Sequence, residues 1–177
     1  TRLRQLETEL ESFYRRIRIS DSLIGLRNAV RSAVLITAAA LAAPSLTFTT
    51  GIAVAFPRSP MVSAAIAWEL AENTGGRYRL GLGSQVKAHI ERRYGMPFDP
   101  PGPRLKDYVE AVQACLRAFR GEEKLNHQGP YYQLSLLPDA WRPRSHEYGD
   151  IKIDISAVGP YMTRAAGEVA ETFPSGL

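Results

Sequence analysis

Apolar residues recur at helical spacing in the first part of the chain. Leu3, Leu6, Leu10, Phe13 and Ile17 predict an amphipathic helix over residues 2–18. Ser20 and Asp21 supply capping chemistry for a second helix over 21–43, which carries Leu23, Leu26, Val30 and Val34 until Pro44 stops it. From Leu46 the pattern changes. Residues 46–54 are rich in β-branched and aromatic types with little polar alternation, as a buried parallel strand requires. Met61, Ala64, Ala65, Trp68 and Ala71 then share one helix face, and Gly75-Gly76 closes that helix. A short strand over 78–82 follows, and Gly83 and Ser84 open a helical stretch that the proline-rich segment 95–103 ends. Leu105, Tyr108, Val109, Val112, Leu116 and Phe119 trace another helix, with Gly121 at its C-cap. Residues 124–134 read as a small hairpin or extended excursion, and 138–149 as loop. The last unit is a strand over 151–158, then Gly159-Pro160 and a helix through Met162, Ala166 and Val169.

Three successive β-then-α units predict an α/β protein whose strands 46–54, 78–82 and 151–158 lie side by side, parallel and in that order. The pattern leaves two architectures open, a doubly wound open sheet and a segment of a (β/α) barrel. With 177 residues the chain fits one domain, 1–177, in which an N-terminal helical segment, 1–43, precedes the β/α segment 44–177.

Composition narrows the function classes. The longest apolar stretch, 33–43, is too short to span a bilayer and lies too far inside the chain for a signal peptide, so no membrane role is expected. The net charge is +4, and residues 1–31 carry seven arginines against four acidic residues. Glu and Arg alternate there along an amphipathic helix, which favours a solvated face over a nucleic-acid surface. Cys115 is the single cysteine, so no internal disulfide and no paired zinc ligands are expected, and a reducing cytoplasm is favoured. His89, His127 and His146 lack metal-ligand spacing. Gly81-Leu82-Gly83 is not a dinucleotide fingerprint, because Val86 stands where the third glycine belongs, and Ser84 does not form a nucleophile elbow.

Three stretches decide between the architectures. TTGIAVAFPRSPM at 49–61, GLGSQVKAHIERRYGMPF at 81–98 and AVGPYMTRAAGEVA at 157–170 resemble, in order and spacing, luciferase-like monooxygenases, and in particular their coenzyme F420-dependent branch. The resemblance runs from about Leu35 to Ala170. It implies a partial (β/α) barrel of the luciferase-like TIM-barrel type with added N-terminal helices, and a non-proline cis peptide at Gly51-Ile52 beneath the cofactor ring. It further implies a polar contact from His89, near Ser84 and Gln85, and a turn at Ala157, Val158, Gly159 and Pro160 that holds the coenzyme's phosphate-bearing tail or ring edge. Unaided physics reads Gly51 as a bulge in a core strand, His89 as a solvated or core residue, and Gly159-Pro160 as an ordinary βα turn.

The activity so implied is hydride transfer between coenzyme F420 and a small-molecule organic substrate. An FMN-dependent monooxygenase is the nearest enzymatic alternative, and a non-catalytic cofactor-binding or oligomerising scaffold is the other. Residues 1–33 do not resemble the family, and Val30 stands near the place of its ring-contacting histidine. A complete barrel needs about 250 residues. The sheet therefore has open edges, which the N-terminal helices or a second copy of the chain, in a homo-oligomer, would cover.

Overall fold

The computed structural model describes residues 24–169, so the helix expected over 2–18 lies outside the described residues. The chain forms two compact units, Thr1–Ser45 and Leu46–Leu177. In the first, α1 spans Ile24–Ala42 and stops just before Pro44. Among the described residues no helix is long and apolar enough to cross a membrane.

The second unit runs β1 (Phe48–Thr49), β2 (Ala53–Val54), α2 (Pro60–Thr74), β3 (Tyr78–Gly83), a π-helical turn (His89–Arg93) and α3 (Pro101–Arg120). It continues through β4 (His127–Gln128), β5 (Gln133–Leu134), a 3-10 turn (Asp139–Trp141), β6 (Ile153–Ile155) and α4 (Pro160–Val169). β1, β2 and β6 all pair with β3 in parallel. The expected neighbour order is therefore observed, with β3 in the centre. The expected hairpin is the antiparallel pair β4 and β5.

Three expected elements are shorter than their sequence pattern. The strand over 46–54 is interrupted. Its register passes from Thr49 opposite Arg79 to Ala53 opposite Leu82, so Thr50, Gly51 and Ile52 face only Leu80 and Gly81. One extra residue in one strand is a β-bulge, and it bends the strand at that point. The helix expected after Gly83 shrinks because Gln85 takes a left-handed φ of 61°, and Gly95, at φ 65°, ends the π-helical turn. β6 keeps only the residues that find ladder partners on β3, Ile153 to Ile155.

The helices end where their caps place them. The Ser59 hydroxyl accepts from the Met61 amide, Pro60 takes the first helical position, and Gly75 closes α2 at φ 62°. α3 starts with Pro101 and ends at Gly121, φ 76°. Between them lies the core. Tyr78, Leu80 and Leu82 of β3 are buried, as are Trp68 of α2 and Val109, Val112 and Phe119 of α3. Each such aliphatic side chain contributes about 1.5–3 kcal/mol by leaving water. Trp68 meets Phe119 edge-on at 5.6 Å, stacks on His146 at 4.2 Å and donates to the Arg144 carbonyl at 3.0 Å, which fastens the loop over 142–149.

Candidate functional site

In a parallel sheet the loops that follow each strand emerge at one end, and here those are the segments after β2, β3 and β6. Arg79, Gly81 and Gly83 alternate with the buried Tyr78, Leu80 and Leu82 and so share the opposite face of β3. The two glycines are required by close approach. A Cβ at Gly81 would collide with the Thr50 carbonyl oxygen, and one at Gly83 with the Ile52 side chain and, at 3.3 Å, with Ser156. The bulge thus leans across β3, and the ends of β2 and β6 close in on Gly83 from both sides.

Thr50 fixes that approach. Its hydroxyl donates to the Gly81 carbonyl at 2.8 Å and accepts from the Gly81 amide at 3.0 Å. One side chain replaces the ladder bonds that the bulge removes. The Gly51-Ile52 peptide is cis, and Gly51 is exposed with open space where a Cβ would stand.

At the end of β6, Val158 is 87% exposed and Gly159 adopts φ 87° with nothing near its missing side chain. Pro160 opens α4, and both the Thr163 amide and hydroxyl donate to the Gly159 carbonyl at 3.0 Å. The next amides of the first turn, at Tyr161 and Met162, have no acceptor within the helix, which is the usual setting for binding an anion. Ile52 and Ser156, the residue before Ala157, both approach Gly83, so the bulge that carries Gly51 and the turn of Ala157, Val158, Gly159 and Pro160 flank the end of β3. His89 is exposed in the π-helical turn, and no hydrogen bond among the described residues ties it to that group.

Several site residues carry no motif. Arg79 donates from Nε to Asp154 at 2.8 Å and pairs with it through a second nitrogen, and the Thr49 hydroxyl donates to the same carboxylate at 3.3 Å. These side chains share the open face with Gly81, one step nearer the start of the strands. The signal was present: Arg79 in YRLGLG, and Lys152 and Asp154 in IKIDI, are charges inside otherwise apolar strand patterns and mark the face that the helices do not cover.

The rim beside β2 is aromatic. Phe56 meets Phe98 edge-on at 6.1 Å, and the Arg104 guanidinium lies 5.5 to 5.9 Å from the rings of Phe56, Tyr131 and Tyr132. Lys87 pairs with Asp99 and so links the segment after β3 to the same loop. Asp107, buried, accepts from the amides of Tyr131 at 2.7 Å and Tyr132 at 2.9 Å and binds His127 at 2.7 Å. Cys115 is buried in α3, and desolvation pushes its thiol up to about 12, which makes it structural rather than reactive. Among the described residues no group of three or more metal-ligating side chains is gathered.

Comparison with known proteins bears on this arrangement. The model of the luciferase-like monooxygenase family matches residues 17–177, which extends the likeness beyond the expected Leu35 to Ala170 on both sides and corrects the expectation that residues 17–33 are unlike the family. An uncharacterized protein of Mycobacterium tuberculosis is 38% identical over 122 residues, 69% of this chain and 36% of that protein. A putative coenzyme F420-dependent oxidoreductase of the same organism is 31% identical over 122 residues, 64% of this chain and 34% of that protein. Among solved structures, the coenzyme F420-dependent tetrahydromethanopterin reductase of Methanopyrus kandleri superposes with a TM-score of 0.62 at 22% identity, over 78% of this chain and 42% of that one. That likeness shows the fold, a portion of a luciferase-like (β/α) barrel. The chain spans between about a third and about two-fifths of the length of these relatives.

Proposed function

Because the chain belongs to the luciferase-like monooxygenase family, we propose that it serves an oxidoreductase reaction in which coenzyme F420 exchanges hydride with a small organic substrate. The observation that carries this reading is the bare backbone at two places that flank β3, the bulge between β1 and β2 and the turn after β6. Gly51 and Gly159 both face open space, while the glycines between them, Gly81 and Gly83, are filled by the bulge. A flat ring needs such a surface, and an anionic tail needs the unpaired amides at the start of α4. The residues present therefore fit the group.

In this reading Gly51 and Ile52 support the ring, and Ala157, Val158, Gly159 and Pro160 hold the phosphate-bearing tail or the ring edge. Coenzyme F420, when bound, supplies the hydride chemistry, and the protein supplies position and electrostatics. Arg79 and Asp154 neutralise each other beneath the site, so the floor adds orientation without net charge. His89, exposed in the π-helical turn, is the further polar contact that the family resemblance implies. With Val30 near the expected place of the family's ring-contacting histidine, binding is expected to exceed turnover, since binding alone does not stabilise a transition state.

The test is titration of the pure chain with F420 and with FMN, read by absorbance and fluorescence. Saturable binding of F420, tighter than FMN, supports the proposal. Preference for FMN would move the chain to the flavin-using monooxygenases, and binding of neither would leave the scaffold reading.

A further inference from the structure

Arg104 is half-buried, and no carboxylate among the described residues pairs with it. Its partners are of another kind. One terminal nitrogen donates to the Pro97 carbonyl at 2.8 Å, Nε donates to the Tyr132 hydroxyl at 3.4 Å, and the guanidinium plane is enclosed by Phe56, Tyr131 and Tyr132. Those groups come from three places: the segment after β2, the loop before α3, and the hairpin that follows α3.

The hairpin has no reason of its own to stand there. α3 begins at the end of the sheet where the strands finish and runs back toward the end where they start, so a direct path to β6 would never return to the rim. Yet Tyr131 and Tyr132 lie against Arg104 and Asp107 in the first two turns of α3, and Tyr132 meets Tyr108 edge-on at 5.2 Å. The chain climbs α3, turns at Gly129-Pro130 and descends. Gly129 is needed at the tip because a Cβ would collide with the Asp107 carboxylate.

Asp107 holds only the hairpin, through the amides of Tyr131 and Tyr132 and the imidazole of His127. Arg104 holds the hairpin and the loop over 95–100 together, and a planar fork with a delocalised charge is the side chain that can do both while lying on aromatic faces. We infer that Arg104 is a positioning residue that makes the 95–100 loop and the 127–132 hairpin tip one wall of the cleft in which the cofactor site proposed above would lie, the wall against which the organic substrate lies. This rests on that proposed site. Phe98 and Tyr131 give the wall its partly exposed aromatic surface, so the substrate side it presents suits an apolar or aromatic group rather than a highly charged one.

Two readouts separate the inference from its premise. Hydrogen exchange on the cofactor-free chain should show amides of 95–98 and of 127–134 gaining rate together in Arg104→Met, by about tenfold, whereas Asp107→Asn should release the hairpin alone. Arg104→Lys should keep the melting temperature near that of the parent yet still uncouple the two segments, because an ammonium cannot reach Pro97 and Tyr132 with one rigid fork. Iodide quenching of bound F420 fluorescence, read at saturating F420, should then rise at least twofold in Arg104→Met. Release of the hairpin without the loop in Arg104→Met would overturn the coupling. Unchanged quenching with both segments released would overturn the placement of the wall beside the cleft. Failure of the parent to bind F420 would overturn the cleft itself and with it the substrate role, while the exchange data would still decide the coupling.

Discussion

The hydroxyl of Thr50 both donates to and accepts from the backbone of Gly81, so a side chain completes the sheet where the bulge opens it. Thr50→Val keeps the shape and β-branching but leaves the Gly81 amide and carbonyl without that partner. Such a loss costs about 1–3 kcal/mol where the group is buried. Urea unfolding should show a destabilisation of that order. No change in the midpoint would mean that water replaces the hydroxyl and that Thr50 does not hold the bulge.

Gly81→Ala tests the same approach from the other side. The added methyl group meets backbone, the Thr50 carbonyl, which cannot swing away as a side-chain tip can. The variant should be destabilised by about 1–3 kcal/mol, as expected of overpacking. It should also lose F420 affinity, because the bulge must lift off β3. An alanine variant with parent-like stability and affinity would show that the close contact relaxes without consequence.

Much of the barrel segment was legible because its strands and helices obey simple periods. The apolar stripe from Leu105 to Phe119 marked a helix, whose buried face is broader and also takes in Asp107, Ala111, Ala114, Cys115 and Ala118, and Gly121 ended it as its position required. The parallel order followed from the alternation of β and α units. The break at Thr50 to Ile52 was not legible from pattern, since a run of apolar and β-branched residues looks the same with or without a one-residue offset in pairing. The helix after Gly83 is shorter than its punctuation predicts for a related reason: Gly83, Ser84 and the prolines mark where a helix could begin and end, and say nothing about whether Gln85 turns left-handed. Arg104 carried no motif either. Its meaning lies in Pro97 and Tyr132, seven residues before it and 28 after it, which only the folded chain brings together.

Cys115 gives an expectation about pH. Burial raises its thiol from an ordinary value of 9.0 to about 12, so the native state favours the protonated form. The resulting stability is fully present below about 9 and is lost as pH rises toward about 12, because the unfolded chain ionises first. Cys115→Ala should flatten that alkaline decline in urea midpoints while lowering stability at neutral pH through the small cavity it leaves. Native protein at pH 8 should also resist alkylation until denaturant is added. Rapid labelling of the folded chain would show that the thiol is reachable.

The turn at Gly159 is the most direct test of the cofactor reading, and its backbone decides how the test must be built. At φ 87° a leucine is strained whatever the space around it, so loss of F420 binding in Gly159→Leu alone would confuse a blocked cradle with a distorted turn. Asparagine tolerates left-handed backbone far better and still adds a side chain over the first turn of α4. Both variants should therefore weaken F420 by at least tenfold, with Gly159→Asn keeping the parent's circular dichroism and melting temperature. Neutralising Arg164, exposed on α4, should change affinity much less, by about twofold, since an exposed charge is screened within about 10 Å at ordinary salt. If Gly159→Asn binds as well as the parent while Gly159→Leu does not, the turn's conformation matters but nothing approaches its face. The phosphate-bearing tail would then have to be held elsewhere on the strand ends.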